Sequence, residues 1–150
     1  MKELMLLRHA KAVSEHAAGD FARPLSTRGI EQMQQVAAAL QAKGWYPDFT
    51  LVSPAKRTLQ TADILEKNTQ VLHAITDPTL YLATDDQICA AIAGAPDDAE
   101  RLLVIGHNPG ISDLAAQLSH DAYARPLPTA GFVICPIDVD HWHRIVKALG

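Results

Sequence analysis

Three places in this chain set a histidine or an arginine directly behind a run of apolar residues. Leu4-Met5-Leu6-Leu7 leads into Arg8-His9-Ala10, and Leu102-Leu103-Val104-Ile105 leads into Gly106-His107-Asn108-Pro109-Gly110. Between them, Phe49-Thr50-Leu51-Val52 leads into Ser53-Pro54-Ala55-Lys56-Arg57. A fourth stretch, Asp20-Phe21-Ala22-Arg23-Pro24-Leu25-Ser26-Thr27-Arg28-Gly29, adds two arginines, of which Arg23 is the better placed because it lies in the first loop. Guanidinium groups offer planar, paired donors to an oxyanion. A neutral imidazole can attack and carry a transferred group, and a protonated one can hold charge that develops on equatorial oxygens. These residue types together point to chemistry on a phosphoryl group. They do not suit a metal centre: His9 and His107 lack a third ligand nearby in sequence, and adjacent guanidiniums repel a divalent cation.

The elements that position these residues follow from the apolar pattern. Short, continuous apolar runs read as strands buried on both faces, as in a parallel sheet. Ligands of open α/β sheets bind beyond the carboxyl ends of such strands, which is where each of these residues falls. Residues 4–8 form the first strand, 10–25 a functional loop, and a helix runs from Thr27 to Gly44, capped by Ser26 or Thr27, with Glu31 in its first turn. Ile30, Met33, Val36, Ala37 and Leu40 give its buried stripe. Phe49–Val52 is the second strand. The helix after it, to about Asn68, buries Leu59, Ala62, Ile64 and Leu65, with Arg57 in its first turn. A cation there opposes the helix dipole, which is easier to account for if an anion sits beside it. Val71–Ile75 reads as the third strand, Thr84 or Asp85 caps a helix ending near Gly94, and Leu102–Ile105 is the fourth strand. Asn108 and Pro109 then suit a helix start, with the helix proper over 111–118 and backbone amides turned toward an anion. Residues 119–129 form a loop. Gly131–Ile137 and Trp142–Leu149 suggest a closing hairpin, with His141 and His143 an exposed pair on its edge strand, outside the site. The expectation is a three-layer α/β/α sandwich with a mixed, mostly parallel sheet, filling residues 1–150 as a single domain.

Bulk properties narrow the partners. A net charge of −4 argues against nucleic acid, which would call for a basic face. Apolar runs fall far short of the ~20 residues of a membrane span, and only four apolar residues separate Glu3 from Arg8, too few for a secretory signal. A cytoplasmic protein is expected, monomeric for want of a long exposed apolar stripe. Cys89 and Cys135 sit in apolar surroundings and read as buried structural thiols. His16, His73 and His120 are assigned no function.

The words quoted above resemble those of the histidine phosphatase superfamily, whose fold is called phosphoglycerate-mutase-like. Arg8-His9-Ala10 is similar to the family's opening Arg-His-Gly, with Ala10 in place of the glycine. Ser53-Pro54-x-x-Arg57-Thr58-x-Gln60-Thr61 and Gly106-His107-Asn108-Pro109 match the second and third words. Asp20-x-x-Arg23-Pro24-Leu25-Ser26-x-x-Gly29 resembles a word of the SixA-type phosphohistidine phosphatases. The resemblance implies that His9 is the nucleophile and forms a phosphohistidine intermediate. It implies that Arg8 and Arg57 clamp the phosphate and that His107 is the second phosphate-contacting imidazole. Arg23, Ser53 and Asn108 are expected to bind substrate. No metal or organic cofactor is implied.

Larger members of that family carry an inserted helical region and a carboxylic general acid. Here the corresponding segment is Asp77-Pro78-Thr79-Leu80-Tyr81-Leu82, with Thr79 at the acid's position. Asp77, Asp85 and Asp86 remain as proton donors, though each suits a turn or cap better. An alkoxide leaving group needs a proton, whereas imidazole leaves as a neutral amine whose conjugate acid titrates near ~6.5. The expected substrate is therefore phosphohistidine on a protein, a phosphotransfer or phosphocarrier domain. A small-molecule phosphomonoesterase acting on a phosphorylated metabolite and a non-catalytic phosphate-binding regulator are the alternatives.

Overall fold

The computed structural model describes residues 1–121 and 123–149, with the side chain of Lys147 left out. Five strands form one sheet: β1 (Lys2–Arg8), β2 (Phe49–Val52), β3 (Ala74–Thr76), β4 (Arg101–Gly106) and β5 (Phe132–Ile137), in the order β3-β2-β4-β1-β5. β1, β2, β3 and β4 pair in parallel, and β5 runs antiparallel along β1. β1 and β4 lie side by side with Leu4 opposite Leu102 and Arg8 opposite Gly106. That register brings Arg8-His9 and Gly106-His107 out of the sheet next to each other.

Alternation along the strands sorts the core into two layers. Leu4, Leu6, Leu102 and Val104 pack with α3 (Asp85–Ala93), α4 (Gly110–Ser119) and the chain's last turns. Met5, Leu7, Leu103 and Ile105 pack with α1 (Thr27–Lys43) and α2 (Lys56–Asn68). Both faces of the sheet are covered, giving the expected three-layer sandwich. Helix ends follow local chemistry. Ser26 caps α1 by accepting from the Gly29 amide, Gly44 ends it at φ 65°, and Thr84 with Gln87 makes a capping box on α3.

Several expectations are corrected. Residues 142–148 form a 3-10 helix, not a strand, and β5 pairs with β1 instead of a hairpin partner. The i, i+3 spacing of Trp142 and Ile145 puts both in the core at no exposure, which a three-residue turn allows and an extended strand does not. β3 starts at Ala74, because Val71 is exposed and His73 has a φ of 52°. Ile30 and Leu59 are each 41% exposed on their helices, and Cys135 is only half-buried on edge strand β5. Glu31 lies beyond the first turn of α1, and α4 begins at Gly110 with no side-chain cap from Asn108 or Pro109. The expected loop over 119–129 joins α4 to β5, with Ala122 outside the described residues. Among the described residues no helix is long and apolar enough to cross a membrane.

Candidate active site

The carboxyl ends of β1, β2 and β4 bring the three sequence words together. His9 and His107 lie with ring centroids 5.3 Å apart, tilted by 58°. Both are buried, as is Arg57 at the start of α2. Arg57 reaches between elements: Nη1 donates to the Asp20 carbonyl (2.8 Å), and Nη2 lies 3.1 Å from Asp20 Oδ2 and 3.3 Å from His107 Nδ1.

The two imidazoles are held differently. His9 Nδ1 donates to the Ala10 carbonyl at 2.7 Å, which leaves the lone pair of the neutral ring on Nε2. His107 Nε2 pairs with Ser53 Oγ at 2.7 Å and turns Nδ1 toward Arg57. Burial lowers the His9 pKa to about 4, with the Arg57, Arg8 and Arg23 charges adding to the shift against the Ala10 bond. Burial, then Arg57, lowers His107 to about 3. Both rings are therefore neutral at pH 7, so His9 has a free base nitrogen.

Arg8 follows the same rule of backbone capture. Nη1 donates to the Leu127 carbonyl (3.1 Å), and the same oxygen accepts from Asn108 Nδ2 (2.9 Å). Asn108 Oδ1 in turn accepts from Ser112 Oγ. Asn108 thus pins the 119–129 loop, and Ser53 aims His107. The Nε atoms of Arg8 and Arg57 are buried with no hydrogen-bond partner among the described residues.

The second word is legible atom by atom. Thr58 Oγ1 lies within hydrogen-bond distance of the Ser53 and Ala55 carbonyls (2.7 Å each) and can donate to either, fixing the strand-to-helix corner. Thr61 Oγ1 donates to the Arg57 carbonyl (2.7 Å) and accepts from the Ala10 amide (3.1 Å), tying α2 to the turn that carries His9. Gln60 Oε1 accepts from the Leu25 amide (2.7 Å), drawing the first loop onto α2.

Two residues at the site, both quoted in the sequence words, were given no role there. Asp20 opens a 3-10 turn (Asp20–Ala22) and places its carboxylate against Arg57, Arg23 and Tyr81. Tyr81 donates to Asp20 Oδ2 at 2.5 Å and stands edge-on to His107, ring centroids 5.6 Å apart. The Tyr81 bond leads the causes that lower Asp20 to about 2, and the same bond raises Tyr81. Asp20 is the anion that the position of Arg57 called for, supplied by the chain itself. Arg23 holds Asp20 through Nε (3.0 Å) and the Val13 carbonyl through Nη1 (2.7 Å). Asp77 caps the turn at Pro78–Leu80 through the Thr79 amide, and Asp85 accepts from Gln117, so both are engaged away from the imidazoles.

The comparisons with known proteins agree with this geometry. Residues 4–81, more than half the chain, match the model of the histidine phosphatase superfamily, branch 1. An uncharacterized protein of Picosynechococcus sp. is 32% identical over 126 residues, 78% of this chain and 73% of that protein. A structure described as a candidate phosphohistidine phosphatase SixA from Nakamurella multipartitia superposes with a TM-score of 0.80 at 25% identity, covering 97% of this chain and 90% of that one. The protein histidine phosphatase SixA complexed with tungstate has the same fold, with a TM-score of 0.79 at 24% identity over 91% of this chain and 88% of that one. With two imidazoles and Arg57 gathered at the ends of parallel strands, this chain belongs to branch 1 of the histidine phosphatase superfamily, as a phosphatase of the histidine phosphatase type.

Proposed function

We propose that residues 1–150 form one histidine phosphatase domain that removes the phosphoryl group from phosphohistidine on a protein, a phosphotransfer or phosphocarrier domain. The observation that carries this reading is the pair of buried imidazoles 5.3 Å apart, one with a free Nε2 and the other against Arg57. His9 Nε2 attacks phosphorus in line, the substrate's P–N bond breaks, and the substrate ring, protonated on its other nitrogen, takes the electron pair and leaves as neutral imidazole. Water then attacks phosphorus, the bond to His9 Nε2 breaks, and inorganic phosphate departs. Arg8, Arg57 and His107 hold the equatorial oxygens through both steps, and the negative charge of the bound oxyanion favours a proton on His107 Nδ1. Ser53 acts through His107 and Asn108 through the Leu127 loop.

The leaving group supports the phosphoramidate. Thr79 occupies the acid's expected place and is spent on Asp77, so no carboxylic acid stands there to protonate an alkoxide. The candidate SixA neighbour at 25% identity points the same way. One observation favours the small-molecule phosphomonoesterase instead: the Tyr81 hydroxyl, beside His107 and bonded to Asp20, is a proton source at the mouth of the site.

Purified protein is assayed with p-nitrophenyl phosphate and with a phosphohistidine-bearing protein. The expected result is faster turnover of the phosphoprotein and a labelled phosphoenzyme that His9→Ala abolishes. Turnover of esters alone selects the phosphomonoesterase. No turnover of either, with tungstate still bound, selects the binding regulator.

A further inference from the structure

A second cluster of chemically capable side chains lies at the opposite end of the sheet. His141 Nδ1 sits 3.1 Å from Asp97 Oδ2, and the His141 and His143 rings stack at 5.3 Å with 20° between planes. One ligand atom from each of Asp97, His141 and His143 falls within 4.8 Å of the others, and all three residues are exposed. Asp97 comes from the loop between α3 and β4, while the histidines flank Trp142 at the start of the last 3-10 helix. β1 spans the sheet from Lys2, beneath this cluster, to Arg8 at the active site. At about 3.3 Å per residue the two sites lie roughly 20 Å apart.

We propose that Asp97, His141 and His143 form a binding site for a borderline divalent transition metal of the zinc class, which clamps the C-terminal helix to the α3–β4 loop. Two imidazoles and one carboxylate are the donor set that zinc takes, with water completing the tetrahedron. Ligand bonds of about 2.0–2.2 Å at tetrahedral angles set ligand atoms roughly 3.3 Å apart. His141 Nδ1 and Asp97 Oδ2 lie 3.1 Å apart, a spacing close to that edge, so a metal would take the place of the proton between them. His143 is exposed and offers a ring nitrogen within 4.8 Å of the other two ligand atoms. Magnesium and calcium, which favour oxygen ligands, fit poorly.

The backbone under the site is fixed by buried groups. Trp142 is fully buried and its Nε1 donates to the Ala99 carbonyl at 2.8 Å. Lys2 Nζ, itself buried, donates to the carbonyls of Asp97 (2.6 Å) and Ala99 (3.0 Å) and lies 5.4 Å from the Trp142 ring centroid. Both segments that supply ligands are thus anchored before a metal arrives, which lowers the ordering cost of binding. Asp138 and Asp140 line the polar cavity beside His141 and add negative potential, set against the cationic Arg144.

Metal-stripped full-length protein is titrated with zinc chloride and, in parallel, magnesium chloride, following heat and melting temperature. His143→Ala and Asp97→Asn test the site, and His9→Ala identifies any zinc taken by the active-site imidazoles. Expected is one zinc per chain that survives His9→Ala, weakens at least tenfold in both site variants, and raises the melting temperature by several degrees, with no response to magnesium. Circular dichroism and phosphatase activity of the two site variants should match the parent, since the replaced residues are exposed and remote from the imidazoles. Zinc binding equal in parent and site variants overturns the proposal. Absence of any zinc-dependent heat or melting shift also overturns it, leaving a plain hydrogen-bonded surface cluster.

Discussion

At the scale of single residues, the site is a cationic cradle around two uncharged imidazoles. In the proposed reaction Arg57 is an oxyanion donor, and in Arg57→Ala kcat/KM should fall by about 10²–10³, as for other preorganised donors. A variant with unchanged turnover would take Arg57 out of the reaction. Its charge also lowers both histidine pKa values. The acid limb of the parent's kcat/KM profile should therefore lie near 4 and rise only modestly in Arg57→Ala, because burial, the larger cause of the shift, remains, as a pH–rate series would show. Asp20 is the residue that sequence logic lacked. It pairs with Arg57, so if Arg57 binds the oxyanion as proposed, Asp20→Asn should tighten tungstate binding, on the order of tenfold, by removing a like charge. Weaker binding in a calorimetric titration would show instead that Asp20 serves to hold Arg57 in place.

At the scale of elements, close packing at two glycines sets where the loops and helices meet. A Cβ at Gly29 would lie 2.1 Å from the Lys11 carbonyl oxygen, and one at Gly110 would lie 2.0 Å from that of Ala83. Backbone cannot yield as a side chain can, so each must be glycine for α1 and α4 to sit as they do. Gly110→Ala should cost at least about 1–3 kcal/mol of stability, in the range of overpacked sites. It should also lower kcat, because α4 begins three residues after His107. Urea unfolding and steady-state kinetics read the two effects separately. Strand boundaries at this scale were legible where apolar runs were long, as at 102–105, and slipped where they were weak. Val71-Leu72-His73 looked extended, yet Leu72 packs inward while Val71 faces water and His73 turns left-handed.

At the scale of the whole molecule, the site tunes stability as well as chemistry. His9 and His107 have folded pKa values of about 4 and 3, below the ordinary 6.5, so the unfolded chain binds more protons between those limits. Stability from this source is complete above pH 6.5 and is lost as pH falls toward 4 and then 3. Asp20, lowered to about 2, adds a smaller loss below 3.8. Thermal melts from pH 7.5 to 4 should show a falling melting temperature, and tungstate should flatten that fall if an oxyanion stabilises protonated His107 as proposed. A melting temperature independent of pH over this range would mean that the imidazoles are not buried neutral.

The sequence alone determined the sandwich and the convergence of His9, Arg57 and His107. Those depend on local pattern: apolar runs make buried strands, and residues that follow such strands must emerge at one edge of a parallel sheet. Only the tertiary structure decided what the side chains do to one another. Ser53 aims His107, Asn108 pins a loop, and Asp20 answers Arg57 across 37 residues, while Asp97 meets His141 more than forty positions away. Such pairings have no periodicity. They arise from the distances that loops close, and those distances exist only once both layers of helices have packed on the sheet.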